Sequence, residues 1–224
     1  MSRVICTSES QIIAPTVAPI SLSWATDHLK SISTSDDALI ESWLLAATSY
    51  FEEITGRQVM EATWEYRLDM FPAAGVIELP RPPLREVLAI EHLDDDGNTV
   101  PFSDGLSPET VSWQAYAPQG THARRGWVEP KHGFIWPTVS TAALGRVRVR
   151  YTAGYADTVD TLPDLVKAAI LLIAGSFDQF RSEQHLSERS SKVEQLPFGA
   201  QQIMRAFLYT ALPTQPLRTT PWVL

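Results

Sequence analysis

The chain has 224 residues, is 44% hydrophobic and 20% charged, and carries a formal net charge of −8. That composition gives room for a sizeable core and excludes wholesale disorder and general phosphate binding by bulk charge. The longest apolar run, Ala168 to Ala174, is too short to span a bilayer, and no apolar stretch of signal-peptide length follows Met1, so a soluble, cytoplasm-made protein is expected.

The first 20 residues are rich in Ser, Thr, Pro and Ile without a clear period and read as an extended arm; its one cysteine, Cys6, lacks an internal partner and reads as a bland thiol. Ser21 or Ser23 then caps a short helix running to Lys30, with Leu22, Ala25 and Leu29 on one face. A longer helix follows, with Thr34 or Ser35 as its N-cap and Asp36 and Asp37 near the positive end of its dipole. Leu39, Ile40, Trp43, Leu44, Ala47, Tyr50, Phe51 and Ile54 recur at three- and four-residue spacing as one apolar stripe, and Gly56 is placed to stop the helix.

From Gln58 the pattern turns to short β-like runs: Gln58–Met70, Val76–Leu79, Leu84–Leu93, Thr99–Ser103 and Thr110–Tyr116. Pro80, Pro82 and Pro83 cannot donate ladder hydrogen bonds, so Leu79–Leu84 is a stiff connection and not a central strand. Asp94-Asp95-Asp96-Gly97-Asn98 reads as a hairpin turn, and 117–145 as mostly loop. Arg146–Tyr151 alternates Arg and Val, the pattern of a half-buried strand. Helical period returns at Leu162-Pro163-Asp164 and carries Leu165, Val166, Ala169, Ile170, Ile173, Phe177 and Phe180 to about Arg181. A polar break precedes a final short helix over about 199–209, and a Pro-rich tail ends in Trp222-Val223-Leu224.

The expected fold class is therefore α+β. Two long antiparallel amphipathic helices plus short helices form a small core, a β-rich insertion over about 58–151 lies between them, and extended arms occupy both ends.

Charge is segregated along the chain. Residues 36–109 hold 16 acidic and four basic side chains, a balance of −12, whereas 121–151 hold six basic and one acidic, a balance of +5. After Gly199 there are Arg205 and Arg218 and no acidic side chain. Opposite potentials of this kind steer self-association or partner docking, although chance segregation on a solvated surface is the plainer alternative.

No phosphate-binding glycine loop, zinc-type His-Glu-x-x-His pair or nucleophile elbow is present. The five histidines are scattered, and Glu129 with His132 lacks a third ligand nearby. The Asp94–Asp96 run does not space its oxygens as a calcium loop requires. No cofactor, no metal and no catalytic residue are expected. Two features remain. Arg146, Arg148 and Arg150 share one strand face with Arg124 and Arg125 upstream, and can touch DNA phosphates, an adjoining subunit or the carboxylates of the central segment. The tail, with Leu217, Arg218, Trp222 and Leu224, lacks the means to form a core alone and is either disordered or a partner anchor, the latter being the favoured reading.

Several of these segments, in order, resemble the head–tail connector (adaptor) proteins of tailed bacteriophages and gene transfer agents. Ala47–Arg57 is similar to the family's A-x-x-Y-x-E-x-x-T-G-R helix end, and Thr63–Pro72 to the strand that follows it. Ile77–Leu84 resembles I-x-L-P-R-P-P-L; Asp94–Gly97, Val149–Tyr155 and Leu162–Leu172 complete the series. Pro19-Ile20-Ser21-Leu22 matches the usual lead into the first helix, so the resemblance spans about residues 19–184.

The resemblance implies a structural, non-enzymatic subunit of a homo-oligomeric, usually dodecameric ring in the neck of a virion or phage-like particle, assembled in the bacterial cytoplasm. Such a ring docks onto the portal protein, extends the DNA channel and offers a platform to a stopper or tail-terminator protein, without a membrane and without sequence-specific DNA binding. It implies an arm at 1–20, a connector domain at 21–198 (helices about 22–30, 35–56 and 163–182) and a C-terminal helix and docking tail at 199–224. By position, the portal-docking candidates are Arg205, Phe207, Leu208, Leu217, Arg218, Trp222 and Leu224, and the subunit-interface or DNA-channel candidates are Arg124, Arg125, Arg146, Arg148 and Arg150. The alternative is a carbohydrate- or partner-binding virion module built on Trp113, Tyr116, Trp127 and Trp136. An enzyme using the carboxylates or His132 is the remaining class.

Overall fold

The computed structural model describes residues 7–29, 36–73, 75–102, 112–139, 144–183 and 198–211. At the N-terminal end, Thr7–Ile13 forms a strand, β1, where the sequence reading has only an arm. Its residues lack an apolar period of their own; the strand exists because it finds the open edge of β2 (Ala62–Leu68), pairing antiparallel from Thr7 opposite Leu68 to Ile13 opposite Thr63.

Helix α1 (Leu22–Leu29) starts at Ser21, whose Oγ accepts the Trp24 amide at 3.4 Å. Helix α2 (Asp37–Thr55) is preceded by Asp36, and Thr34 and Ser35, the expected caps, lie outside the described residues. Its buried face is Ile40, Leu44, Ala47, Phe51 and Thr55. Ile54, placed on the stripe by spacing, is exposed; Thr55 takes the inward position because its Oγ1 donates to the Phe51 carbonyl at 2.6 Å and leaves no polar atom unmatched. Gly56 ends the helix in the left-handed region at φ 66°, a conformation that side chains with a Cβ disfavour.

After β2 come β3 (Ile77–Glu78), β4 (Leu84–Leu93), β5 (Thr99–Pro101), β6 (Trp113–Tyr116), β7 (Trp127–Pro130) and β8 (Val147–Ala153). They form a five-stranded sheet in the order β1-β2-β8-β4-β5 and a three-stranded sheet β3-β7-β6. The β4–β5 turn is the expected hairpin: Asp94 Oδ1 accepts the amides of Asp96 and Asn98 at 3.0 and 2.8 Å. Strand β7 lies inside the stretch read as loop, because four residues between glycine-rich turns carry too little period to declare themselves. The polyproline connection Leu79–Leu84 lies between β3 and β4 as expected, with a cis bond at Pro82-Pro83.

Helix α3 (Asp164–Glu183) starts on the Pro163 carbonyl, which accepts the Lys167 amide at 3.2 Å, and α4 (Phe198–Ala211) follows. Helices α2, α3 and α4 pack on one another and α1 packs on α2 and α3, so the helical core expected from the two long stripes is present. One hydrophobic cluster gathers Phe51, Val166, Ile170, Ile173 and Phe207 from the helices. A second gathers Trp64, Val149 and Tyr151 from the large sheet with Ile77, Leu79 and Val128 from the small one. Each fully buried Phe, Ile, Leu or Val contributes about 1.5–3 kcal/mol through removal from water.

Helices and sheets are joined where the chain leaves α2 and where it enters α3. The Tyr155 amide donates to Val59 O at 2.9 Å and the Glu61 amide to Ala156 O at 2.8 Å. At that crossing a Cβ on Gly154 would come within 2.7 Å of Met60 and Glu61 backbone atoms, and φ there is 138°, so glycine is required twice over.

Candidate assembly interface

The helix-end residues Glu52, Gly56 and Arg57 come together at this junction. Glu52 Oε1 accepts from Gln58 Nε2 at 2.7 Å and from the Val59 amide at 2.8 Å, and Gln58 Oε1 accepts Trp64 Nε1 at 3.0 Å. Burial raises the Glu52 carboxyl pKa, with the Val59 amide opposing. Arg57 is fully buried. Its Nε donates to Phe207 O at 3.1 Å, Nη1 to Tyr155 Oη at 2.6 Å and Nη2 to Ala123 O at 2.8 Å. One guanidinium thus ties α2 to α4, to the β6–β7 loop and to the β8–α3 connection, using the fork geometry that lysine lacks. Burial lowers the Arg57 pKa and pushes the Tyr155 hydroxyl up to about 12.

On the outer face of the large sheet, Arg148 and Arg150 alternate with inward Val147, Val149 and Tyr151, as expected. Arg150 Nη2 lies 2.9 Å from Glu91 Oε2 and its Nε 3.7 Å from Glu65 Oε2; Arg67 Nε donates to Glu65 Oε1 at 2.6 Å. Arg148 stands opposite Arg67 on β2 and Glu91 on β4. Arg146, just before the strand, is buried, with Nη1 donating to Asp94 O at 3.3 Å. Arg150 thus pairs with carboxylates of its own chain, one of the readings open to this row. Such pairs, with Arg150 42% exposed, are worth about 0.2–1 kcal/mol each in water. Arg124 and Arg125 are elsewhere, in the β6–β7 loop beside the Ala123 carbonyl that Arg57 holds; Arg124 is exposed and Arg125 half-buried.

On α4, Arg205 and Leu208 are exposed. Phe207 is not a surface residue: it is fully buried, with its ring edge-on to Phe51 at 5.4 Å, because the apolar face of α4 turns onto α2 and α3. Leu217, Arg218, Trp222 and Leu224 lie outside the described residues, as does Cys6. The four aromatics of the alternative reading do not share a surface. Trp136 stacks on Phe71 at 4.7 Å and Trp113 packs on the sheet cluster, while Tyr116 and Trp127 form a separate stacked pair at 4.3 Å.

Sequence reasoning missed a contact that holds β1. Arg81, at φ 61°, sends Nε and Nη2 to Glu9 Oε1 at 2.9 and 2.6 Å, and its guanidinium lies 4.7 Å from the Trp64 ring centroid. The only signal in the sequence is the arginine inside the polyproline connection; nothing there names Glu9 as its partner. Among the described residues no group of three or more His, Cys, Asp or Glu side chains can hold a metal ion, and no helix is long and apolar enough to cross a membrane.

No protein-family model matches the chain, and no curated protein matches it. Solved structures do. A chain in the virion of a native gene transfer agent particle is 20% identical, covering 89% of this chain and 94% of that chain at a TM-score of 0.67. A chain in the neck of an empty particle with C6 symmetry is 19% identical at a TM-score of 0.69, and one in the neck of a native particle with C12 symmetry is 21% identical at 0.64, each with the same coverages. This chain has the α+β fold of those gene-transfer-agent neck and virion chains over nearly their whole length.

Proposed function

We propose that this protein is a structural, non-catalytic subunit of the head-to-tail connector ring of a tailed phage or gene transfer agent. In that role it docks onto the portal, extends the DNA channel and carries the stopper or tail-terminator protein. The observation that carries the reading is the near-complete fold match to chains of particle necks, including one with C12 symmetry. Residue agreement supports it as well: Glu52, Gly56 and Arg57 of the motif that resembles the connector family supply the junction that orients helices against sheets. An acidic subunit also suits a conduit, since a negative lumen repels phosphates and lets DNA slide.

Docking to the portal is assigned to Arg205 and Leu208 on α4 together with Leu217, Arg218, Trp222 and Leu224 of the tail, with Phe207 serving as the anchor of α4 to the core. Arg124 is the most available of the channel or interface candidates, because Arg146 and Arg150 already face carboxylates or carbonyls of their own chain. The test is light scattering after size exclusion, on the protein alone and mixed with the portal of the same gene cluster. A complex of ring-sized mass, lost on deleting Pro213–Leu224, is expected. Binding that survives the deletion moves the docking surface off the tail, and no association with an intact portal ring sinks the connector reading.

A further inference from the structure

The helices pack on one another and the strands on one another, so the chain has two cores. The border between them is sharp. Val59, Met60 and Ala156 belong to the helical cluster, whereas Ala62 and Ala153 belong to the strand cluster. Three passages of chain cross that border, 14–21, 56–61 and 154–163, and the last two meet at the Gly154 crossing. Beside the first passage an open cleft of about 210 Å³ lies between residues 13–17 and 60–63, so packing does not fix the angle between the two parts there.

Away from the crossing, the helical part holds one loop of the strand part, residues 117–126 between β6 and β7, at three points. Arg57 Nη2 ends on Ala123 O, Tyr155 Oη donates to Thr121 O at 2.8 Å, and the His122 ring lies 5.0 Å from the Phe207 ring of α4. By contrast, Gln58, which joins Glu52 to Trp64, and Glu61, which pairs with Arg85, lie in the passages themselves. The loop is fixed to the strands at both ends. Gln119 Nε2 donates to Leu84 O at 3.0 Å, and the Leu79 amide donates to Gly126 O at 2.9 Å.

We propose that this loop is a latch between the two parts. With Thr121, His122 and Ala123 seated against Arg57, Tyr155 and Phe207, the strand part is held at one angle to the helices. When they separate, it swings as a rigid body about the Gly154 crossing. Few bonds break in that motion, because the loop stays attached to β4 and both cores stay closed. Relative motion of this kind is the ordinary behaviour of separately cored parts joined by short passages. It changes the angle between α4 and the sheets, so that one subunit can meet partners on its two parts independently. The inference concerns the chain's own two parts and stands whether or not the connector reading does.

The test uses the full chain with Cys6→Ser and nitroxide labels on two introduced cysteines. One pair, Leu45→Cys and Ile135→Cys, spans the two parts; the other, Thr99→Cys and Ile135→Cys, lies within the strand part, and all three sites are exposed. Tyr155→Phe keeps the ring and removes the hydroxyl that binds both Arg57 and Thr121. It should widen the 45–135 distance distribution about twofold and leave the 99–135 distribution unchanged. His122→Ala, at an exposed site, is the second variant and should widen the 45–135 distribution in the same way. Tyr151→Phe removes a hydroxyl bonded to Pro80 O inside the strand part and should change neither distribution. The latch is overturned if the 45–135 distribution is unchanged in both Tyr155→Phe and His122→Ala. It is overturned equally if the 99–135 distribution widens as much, or if Tyr151→Phe has the same effect, since the strand part is then loosening within itself.

Discussion

Arg57 Nε donates to the carbonyl of Phe207 across 150 residues of sequence, while the Phe207 ring lies edge-on to Phe51, four residues from the end of the helix that delivers Arg57. Backbone and ring of one α4 residue are thereby both held by the C-terminal end of α2. The placement of α4, and of any tail that follows it, depends on this pair.

Replacing Arg57 should therefore be costly. Arg57→Met removes the buried guanidinium's hydrogen bonds to the Phe207 and Ala123 carbonyls, and a loss of roughly 2–4 kcal/mol is expected in urea unfolding. Arg57→Lys should recover little of it, since one ammonium cannot reach three acceptors that diverge around a planar fork. A loss below about 0.5 kcal/mol for Arg57→Met would mean that the guanidinium contributes no more than an exposed side chain does.

Gly154→Ala should destabilise by roughly 2–4 kcal/mol, from positive-φ strain and from a Cβ pressed against Met60 and Glu61 backbone. Gly133→Ala, at a positive φ with open space around it, should cost about 1 kcal/mol. Equal thermal shifts for the two would show that conformation alone, and not the close chain crossing, sets the requirement.

His92 supplies a pH dependence. Burial beside Phe71 lowers its pKa below 6.5, with Asp94 opposing, so the folded state resists its protonation. The folded value is depressed relative to the unfolded one. The associated stability is therefore present above pH 6.5 and lost as pH falls from there through the folded value. His92→Gln should flatten the stability profile over that window; an unchanged slope would assign the dependence to other groups.

Strand β1 should be the least protected strand of the large sheet. Ser8–Ile13 are all exposed, and apart from its ladder with β2 the strand is fastened by the Glu9–Arg81 pair. Glu9→Ala should raise amide exchange over Thr7–Ile13 roughly two- to fivefold and leave exchange in β8 unchanged, as expected for a weak, local ion pair. A parallel rise in β8 would show instead that β1 unfolds only with the whole sheet.

Much of the fold was legible in local chemistry. The stripe from Ile40 to Phe51, the Ser21 cap, the Gly56 stop, the Asp94 hairpin and the alternation of Val147–Tyr151 each carry their own periodicity or turn residues. The arginine row on β8 was visible as a face, and its carboxylate partners were among the readings that sequence left open.

Sequence by itself determined the helices and the strands β2 to β6 and β8, and that the chain lacks the familiar catalytic and nucleotide motifs, because those properties live within a few consecutive residues. Tertiary structure alone decided that β1 and β7 are strands, that Phe207 faces inward and that Arg57 meets Phe207, Tyr155 and Ala123. An edge strand is stabilised by hydrogen bonds to a partner far along the chain, and a buried guanidinium by acceptors that three separate segments bring together. Neither leaves a period in its own sequence, so both wait on the packing of the whole.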